Sequence, residues 1–249
     1  MHFAFRAARV LAVATLPLVL TLTACGSSGS GSSGSGSSGS GSSGSGGHAP
    51  SAATSDPNAG LLTGTQLKKA LAPASFFASG FAVDPSGARD SGDTYTTPST
   101  APAAKPDCTR LGGTAWIDIA GITGVSFAQN DYVSKNTSED IAQEIDAYRG
   151  TTAARVMEAL EKAVTACTGF TDSQTHSRVK VTGRATSGLG DAAYTITLTD
   201  SAWENGTTLV AAQVGTNVVS VMSTDGHDNG AATAKKLTER IVTALKQTS

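Results

Sequence analysis

The chain has 249 residues, of which 15% are charged and 5% are aromatic, and its formal net charge at pH 7 is −2. This length fits one folded domain together with flexible segments. The apolar content is too high for a wholly disordered protein, and the near-neutral charge disfavours nucleic-acid binding, which needs a basic surface to neutralise phosphates. Beyond residue 25 no apolar run is long enough to span a bilayer, which excludes a multi-pass membrane protein.

The first 24 residues have the organisation of a secretory signal peptide. Arg6 and Arg9 provide a basic n-region, and an uncharged apolar run follows over residues 10–22. This run ends in Leu-Thr-Ala-Cys at residues 22–25, which is the pattern of a bacterial lipobox. The pattern predicts that Cys25 is acylated and becomes the first residue of the mature chain, which would be anchored by lipid to the extracytoplasmic face of the cell membrane. The alternative is a secreted protein in which Cys25 has no such role.

Residues 25–60 are predicted to form a disordered tether. Residues 26–47 consist of four copies of Gly-Ser-Ser-Gly-Ser followed by Gly-Gly, a composition typical of flexible linkers. Cleavage before Cys25 would remove two arginines and leave 16 basic and 20 acidic residues, a net charge of −4. A chain with this charge is not expected to be attracted to anionic headgroups, so the acyl group is the expected membrane contact.

The folded domain is predicted over residues 61–249. Leu61, Leu62, Leu67 and Leu71 recur at helical spacing before Pro73, with a threonine available as the N-cap. Phe76, Phe77 and Phe81 are expected in the core. Residues 84–107 are rich in Pro, Gly, Ser, Thr and Asp, which predicts a long surface loop. Strands are predicted over residues 115–119 and 125–133.

The second half of the domain alternates between helical and strand patterns. Residues 140–149 fit either a helix or a strand, whereas residues 152–167 carry a single apolar stripe and predict an amphipathic helix. Four short β-branched segments separated by Gly and Asn turns predict strands over residues 178–182, 193–199, 208–214 and 217–223. A second amphipathic helix is predicted over residues 231–246. Strands in a run with helices on either side predict an α+β fold with an antiparallel sheet.

Two cysteines remain after Cys25, namely Cys108 and Cys167. An even pair in an exported chain predicts a disulfide, because extracytoplasmic compartments are oxidising. The alternative is a metal-binding or nucleophilic thiol pair, although the chain contains no Cys-x-x-Cys spacing.

Catalytic motifs are weak in this chain. His176 and His227 are the only histidines of the predicted domain, and they lack the spacing of a zinc site. Residues 177–180 read Ser-Arg-Val-Lys, but they lie in a strand pattern and the companion motifs of penicillin-binding enzymes are missing. Residues 225–230 form a polar cluster that is expected to be a loop and helix cap, with a cation site as the alternative. No cofactor or metal site is predicted.

Two further groups of residues are candidates for a binding site. The acidic residues Glu139, Asp140, Glu144 and Asp146 are expected to form a solvated face and not an acid–base pair. The larger aromatic residues are expected mainly in the core or at its rim, and any that are exposed would be candidates for stacking on a ligand; they are Trp116, Tyr132, Tyr148, Tyr194 and Trp203.

The order of these features resembles the actinobacterial lipoproteins that carry a PknH-like extracellular sensor domain. The resemblance rests on the lipobox, the tether, the Leu-Leu-Thr-x-x-x-Leu helix and the polar loop ending at Cys108. It also rests on Tyr132 near a strand end, the helix ending at Cys167 and the Gly-Leu-Gly-Asp-Ala-Ala-Tyr segment that begins at Gly188. It covers residues 61–249 and implies an α+β domain with a ligand-binding cleft on an antiparallel sheet. Members commonly have two disulfides, whereas this domain can form only one.

The sequence therefore predicts a non-catalytic cell-surface lipoprotein that binds an unidentified small molecule or cell-envelope partner. Two alternatives remain open at this point. One is a carrier of lipid or another apolar molecule, which requires an apolar cavity. The other is a hydrolase whose site combines His176 or His227 with Asp228.

Overall fold

The computed structural model describes residues 56–98, 107–112, 114 and 119–248. The signal segment, Cys25, most of the tether and Trp116 lie outside these residues, as does most of the strand predicted at residues 115–119. The described elements in chain order are α1 (Gly64–Ala70), β1 (Phe81–Asp90), β2 (Ser126–Ser134), β3 (Asp140–Ala147), α2 (Thr152–Ala166), β4 (Gly169–Thr171), β5 (Arg178–Ala185), β6 (Ala192–Thr199), β7 (Thr207–Val214), β8 (Asn217–Ser223) and α3 (Ala231–Thr248). None of the described helices has the length and apolarity that a bilayer crossing requires.

The eight described strands form one antiparallel sheet in the order β1-β2-β3-β8-β7-β6-β5-β4. Short turns join sequence neighbours: Gly215 takes a φ of +57° between β7 and β8, a conformation that glycine adopts without steric cost. Residues 148–216 are inserted between β3 and β8, so these two strands pair across a long sequence separation. The predicted α+β class with an antiparallel sheet is confirmed.

The helices lie on opposite faces of this sheet. Helices α1 and α3 pack on one side, which we call the α3 face, where Leu237 and Ile241 belong to a core that also contains apolar residues of β3, β7 and β8. Helix α2 packs on the other side, which we call the α2 face, against β5, β6 and β7. Each side of a strand contributes to one face only, because successive side chains point in opposite directions. The domain therefore has two hydrophobic cores separated by the sheet.

Helix α1 begins where the sequence predicts. Thr63 is its N-cap, and the side chains of Thr63 and Gln66 each bond to the other's backbone N–H, at 3.3 and 2.8 Å. This reciprocal capping box satisfies two N–H groups that the first turn otherwise leaves unpaired. Residues 57–60, which composition places in the tether, form a turn, and Oδ1 of Asn58 accepts a 2.8 Å hydrogen bond from Nε of Arg149.

The predicted loop over residues 84–107 is wrong in its first part. Strand β1 runs to Asp90, and its register against β2 shifts between Asp84 and Arg89. Pairing with β2 compensates for the poor strand propensity of Pro85 and Gly87, which is the usual way in which tertiary context overrides local preference. Residues 140–147 of the ambiguous segment form β3, which is paired on both sides.

Cys108 and Cys167 form the predicted disulfide, with their Cα atoms 5.6 Å apart. Cys167 is the residue that ends α2, and Cys108 begins a 3-10 turn that extends to Gly112. Leu111 of that turn is fully buried in the core beneath α2. The disulfide therefore fixes this turn to the end of α2 on the α2 face of the sheet.

Candidate functional site

A row of polar side chains crosses the α2 face beside the core of α2. Gln129 of β2 is the cross-strand partner of Glu144 in β3, and Glu144 is the partner of Ser220 in β8. Directly paired residues of an antiparallel sheet point to the same face, with their Cβ atoms about 5 Å apart. Asp131 and Asp146 lie two residues further along β2 and β3, and therefore on the same face. We call these five residues the polar row.

Most of the polar row is buried. The exposed fractions are 2% for Gln129, 9% for Asp131, 8% for Asp146 and zero for Ser220. Burying polar groups costs stability unless hydrogen bonds replace those lost from water. A fold that buries four of them on one sheet face therefore places an unusual concentration of hydrogen-bonding groups there.

Arg89 connects the polar row to the edge strand β1. Its Nε donates a 3.0 Å hydrogen bond to Oε1 of Gln129, and Nε2 of Gln129 donates to both carboxylate oxygens of Asp131 at 3.1 and 3.2 Å. The Arg89 guanidinium also lies 5.8 Å from the centre of the Phe127 ring. Gly87 passes so close to the Asp131 carboxylate that a side chain at position 87 would collide with it. The β1 irregularity thus encloses one end of the row.

Ser220 differs from its neighbours, since its hydroxyl is buried and has no hydrogen-bond partner among the residues that the structure describes. A buried hydroxyl without a partner costs about 1–3 kcal/mol, so such groups are rare unless a water or a ligand satisfies them. The carboxylate oxygens of Asp131, Glu144 and Asp146 nearby can accept hydrogen bonds. The row is therefore suited to a small polar molecule that carries hydrogen-bond donors.

The expectation that the acidic residues 139–146 form a solvated face holds only in part, because Glu139, Asp140 and Glu144 are partly exposed whereas Asp146 is buried. Asp140, Glu144 and Asp146 lie on the α2 face of the internal strand β3, and Asp146 is buried. Glu139 precedes the strand, where its carboxylate accepts hydrogen bonds from Oγ1 of Thr137 at 2.8 Å and the backbone N–H of Gly226 at 3.0 Å. The pairing of β3 with β2 and β8 determines the positions of Asp140, Glu144 and Asp146.

The described aromatic residues are mostly structural. Tyr132 and Tyr148 are buried in the two cores, and Trp203 packs against the core of α2. The Tyr132 hydroxyl donates to the Ala72 carbonyl at 3.0 Å, and burial raises the pKa of this tyrosine. Burial, together with the nearby Glu161 carboxylate of α2, also raises the pKa of Tyr194.

The hydrolase candidates do not converge. His176 lies in the turn between β4 and β5, and His227 lies between β8 and α3. Because two strands separate β5 from β8, three strand spacings place these loops about 14 Å apart. The two carboxylate oxygens of Asp228 accept hydrogen bonds from the N–H groups of Ala231 and Ala232 at 3.1 and 2.8 Å, which is the predicted helix-capping role.

The remaining motifs also have structural roles. Ser177 precedes β5 and its hydroxyl bonds to Asp200, whereas Lys180 projects from the α3 face of β5, so they form no Ser–Lys pair. Asp225 accepts a 2.6 Å hydrogen bond from Thr233 of α3. Within the described residues, no three His, Cys, Asp or Glu side chains are grouped as metal ligands would be.

Sequence reasoning missed Gln129 and Ser220. Each is a polar residue within a strand, and the sequence pattern around it indicates no functional role. Gln129 lies within Phe-Ala-Gln-Asn-Asp and Ser220 within Val-Val-Ser-Val. A serine flanked by valines is a detectable signal of a buried polar group. Its position next to Glu144 depends on the pairing of β3 with β8, which local sequence does not specify.

The sequence matches no known family and no curated protein. The fold is similar to the crystal structure of the extracellular domain of PknH from Mycobacterium tuberculosis, with a TM-score of 0.51 and 13% identity over 75% of this chain and 98% of that domain. The chain thus has a fold similar to that of the PknH extracellular domain, as the order of its sequence features implied.

Proposed function

We propose that this protein is an extracytoplasmic lipoprotein whose sensor-like domain binds a small polar ligand without catalysing a reaction. The observation that carries the proposal is the polar row, in which Gln129, Glu144 and the buried hydroxyl of Ser220 lie side by side on the α2 face. Acyl attachment at Cys25 and the tether that follows would hold this domain at the outer side of the membrane.

Three observations support an extracytoplasmic location. The first is the signal pattern that ends at Cys25. The second is the Cys108–Cys167 disulfide, because disulfides persist in oxidising compartments. The third is the fold, which is shared with a domain described as extracellular.

The geometry favours binding over the alternatives. A hydrolase would need a nucleophile or base close to its activating partner. His176 lies on a different loop from Asp228, and both carboxylate oxygens of Asp228, which follows His227 directly, accept hydrogen bonds from the first turn of α3. An apolar carrier would need an apolar cavity, whereas an apolar cargo would leave the buried hydroxyl of Ser220 unsatisfied. A small polar molecule would satisfy this hydroxyl.

The test is native mass spectrometry of the protein purified from the envelope of its own host. A stoichiometric adduct that is retained in the wild-type protein and lost in Ser220→Ala is the expected result. Loss of one hydrogen bond in a buried site weakens binding by about tenfold. Removing a hydroxyl that has no protein partner is expected to leave the folded state intact.

Thr208→Val is the matched control. Thr208 is also fully buried and its hydroxyl also has no hydrogen-bond partner within the described residues, but it lies on the α3 face. Its substitution is expected to leave the adduct in place. Equal loss of the adduct in both variants, or a wild-type protein free of any adduct, would contradict binding at the polar row.

The lipid anchor is tested separately by the intact mass of detergent-extracted protein. The expected mass corresponds to a chain that begins at Cys25 and carries a diacylglyceryl group. Cys25→Ala is expected to abolish both the added mass and the retention in membranes. An unmodified mass for the wild-type protein would reject the anchor without affecting the ligand site.

A further inference from the structure

Basic side chains are concentrated on one side of the sheet. Nine exposed Lys and Arg side chains lie on α1, on α3 or on the α3 face of β5, whereas these two helices and the α3 face of the described strands carry only two carboxylates. We call this surface the cationic face. Its basic residues are Lys68, Lys69, Arg178, Lys180, Arg184, Lys235, Lys236, Arg240 and Lys246, and its acidic residues are Asp90 and Glu239.

The two carboxylates neutralise only part of this charge. Asp90 pairs with Lys68 at 3.0 Å and Glu239 pairs with Lys235 at 3.4 Å. Among the described residues, the other seven cations of the cationic face form no salt bridge. The opposite face carries the polar row, with Asp131, Glu144 and Asp146. The near-zero net charge of the chain therefore does not exclude a locally basic surface.

The strand β5 supplies the part of the cationic face that no described helix covers. Val179 and Val181 point into the core beneath α2, so Arg178, Lys180 and Arg184 project to the other side. Threonines of β6 lie next to them: Lys180 is the partner of Thr199, and Arg184 is the partner of Thr195. Helix α3 packs on β7 and β8 and leaves this part of the sheet open.

The cationic face extends in two dimensions. Helix α3 has 18 residues and is about 27 Å long. The five strand spacings from β2 to β5 cover about 24 Å across the sheet. A small anion would contact a fraction of this area and a single polymer chain would follow one line across it. An anionic surface of comparable extent would engage all the cations together.

The chain also enters the domain on this side. Asp56 lies 31 residues after Cys25 and leads through a short turn into α1, which packs on the α3 face beside α3. A Gly-rich chain of this length spans about 30 Å on average. A membrane anchor at Cys25 would therefore hold the cationic face within reach of the bilayer at high effective concentration.

We propose that the cationic face docks on the anionic lipid surface of the membrane. Each Lys or Arg close to an anionic surface strengthens binding by about fivefold, which corresponds to about 1 kcal/mol. The docked domain would turn the α2 face and its polar row away from the bilayer. This docking requires neither the acyl group nor the ligand proposed above, so each of the three proposals can fail alone.

The experiment measures vesicle co-sedimentation of the chain from residue 25 onward, with Cys25→Ser so that no acyl chain contributes. Vesicles containing phosphatidylglycerol are compared with vesicles of phosphatidylcholine alone. Binding is expected only to the anionic vesicles and is expected to weaken as salt is added, because salt screens charges on an exposed surface.

Two triple variants remove charge from separate parts of the cationic face. One carries Arg178→Gln, Lys180→Gln and Arg184→Gln, and the other carries Lys236→Gln, Arg240→Gln and Lys246→Gln. Each is expected to bind about a hundredfold more weakly than the parent chain at low salt. The control carries Arg110→Gln, Arg155→Gln and Lys162→Gln, which remove the same charge outside the cationic face, and its binding is expected to stay within about twofold.

Three results would overturn the proposal. The first is equal weakening in the control, which would mean that net charge alone governs binding. The second is the absence of binding to anionic vesicles by the parent chain. The third is loss of binding in the β5 variant only, together with tight binding of soluble polyphosphate, which would assign the β5 surface to a linear polyanion. Circular dichroism of each variant verifies that it is folded.

Discussion

Reducing the Cys108–Cys167 disulfide should remove a large part of the stability of the domain. The two cysteines are 59 residues apart in the sequence. In the chain-entropy account, closing a loop of this size restricts the unfolded chain enough to stabilise the native state by about 4 kcal/mol. Domains of this size are typically stable by about 5–15 kcal/mol, so the loss would bring this one near its unfolding threshold.

The assay is equilibrium unfolding in urea, followed by tryptophan fluorescence, on the chain with Cys25→Ser. Comparing the oxidised and reduced forms of this chain changes the disulfide and leaves every side chain in place. The double variant Cys108→Ala with Cys167→Ala should lose about 1 kcal/mol more, because Cys167 is 2% exposed and its truncation leaves a small cavity. The m-value should rise on reduction, since the unfolded chain becomes less compact.

A difference below about 1 kcal/mol between the oxidised and reduced forms would refute this reasoning. It would mean that packing of the 3-10 turn beneath α2, and not the covalent link, holds Leu111 in the core. A reduced chain with an unchanged m-value would lead to the same conclusion, because the unfolded state would then be insensitive to the disulfide.

Three further substitutions test single features of the fold, with urea unfolding as the common measurement. Tyr132→Phe should cost about 1 kcal/mol for the lost buried hydrogen bonds. Burial raises the pKa of Tyr132 in the folded state above its value of about 10 in the unfolded chain. The free energy of unfolding should therefore fall as the pH rises above about 10, and it should fall less steeply in Tyr132→Phe. Gly183→Ala should lower the free energy of unfolding by about 1–3 kcal/mol, because a Cβ at this position collides with Val164 of α2. Gly112→Ala is the control and should not lower it in this way, because the space around Gly112 is open. Asp228→Ala should cost about 0.5–2 kcal/mol through loss of the α3 cap and Asp228→Asn much less; equal losses would argue against capping.

Local sequence patterns were sufficient for most of the helices and strands. The apolar stripe of residues 152–167 corresponds to α2 within one residue, and the four predicted strands after it correspond to β5, β6, β7 and β8. These elements are specified by periodicity and turn residues that act over fewer than twenty positions. The loop predicted for residues 84–90 was wrong. Their Pro, Gly and Asp content is typical of a loop, and only the pairing with β2 makes them a strand.

The candidate site was less predictable than the elements that carry it. Alternation along β3 shows that Asp140, Glu144 and Asp146 share one face, but it did not show that Asp146 is buried, since a solvated face was expected. Neither Gln129 nor Ser220 belongs to a catalytic or metal-binding motif, so the local sequence does not mark them as functional residues. Their significance comes from being adjacent to Glu144 across two strand pairings, one of which joins residues more than 70 positions apart.

The sequence by itself determined the predicted export signal, the single cysteine pair, the helices and most of the strands, because each depends on composition or on contacts between near neighbours. Only the tertiary structure decided the strand order, which face each helix covers and how charge is distributed. The alternation of valine with Arg and Lys along β5 indicates that the valines are buried, but it does not say which helix covers them. Packing of α2 on Val179 and Val181 makes that choice, and it leaves Arg178, Lys180 and Arg184 on the open side of the sheet.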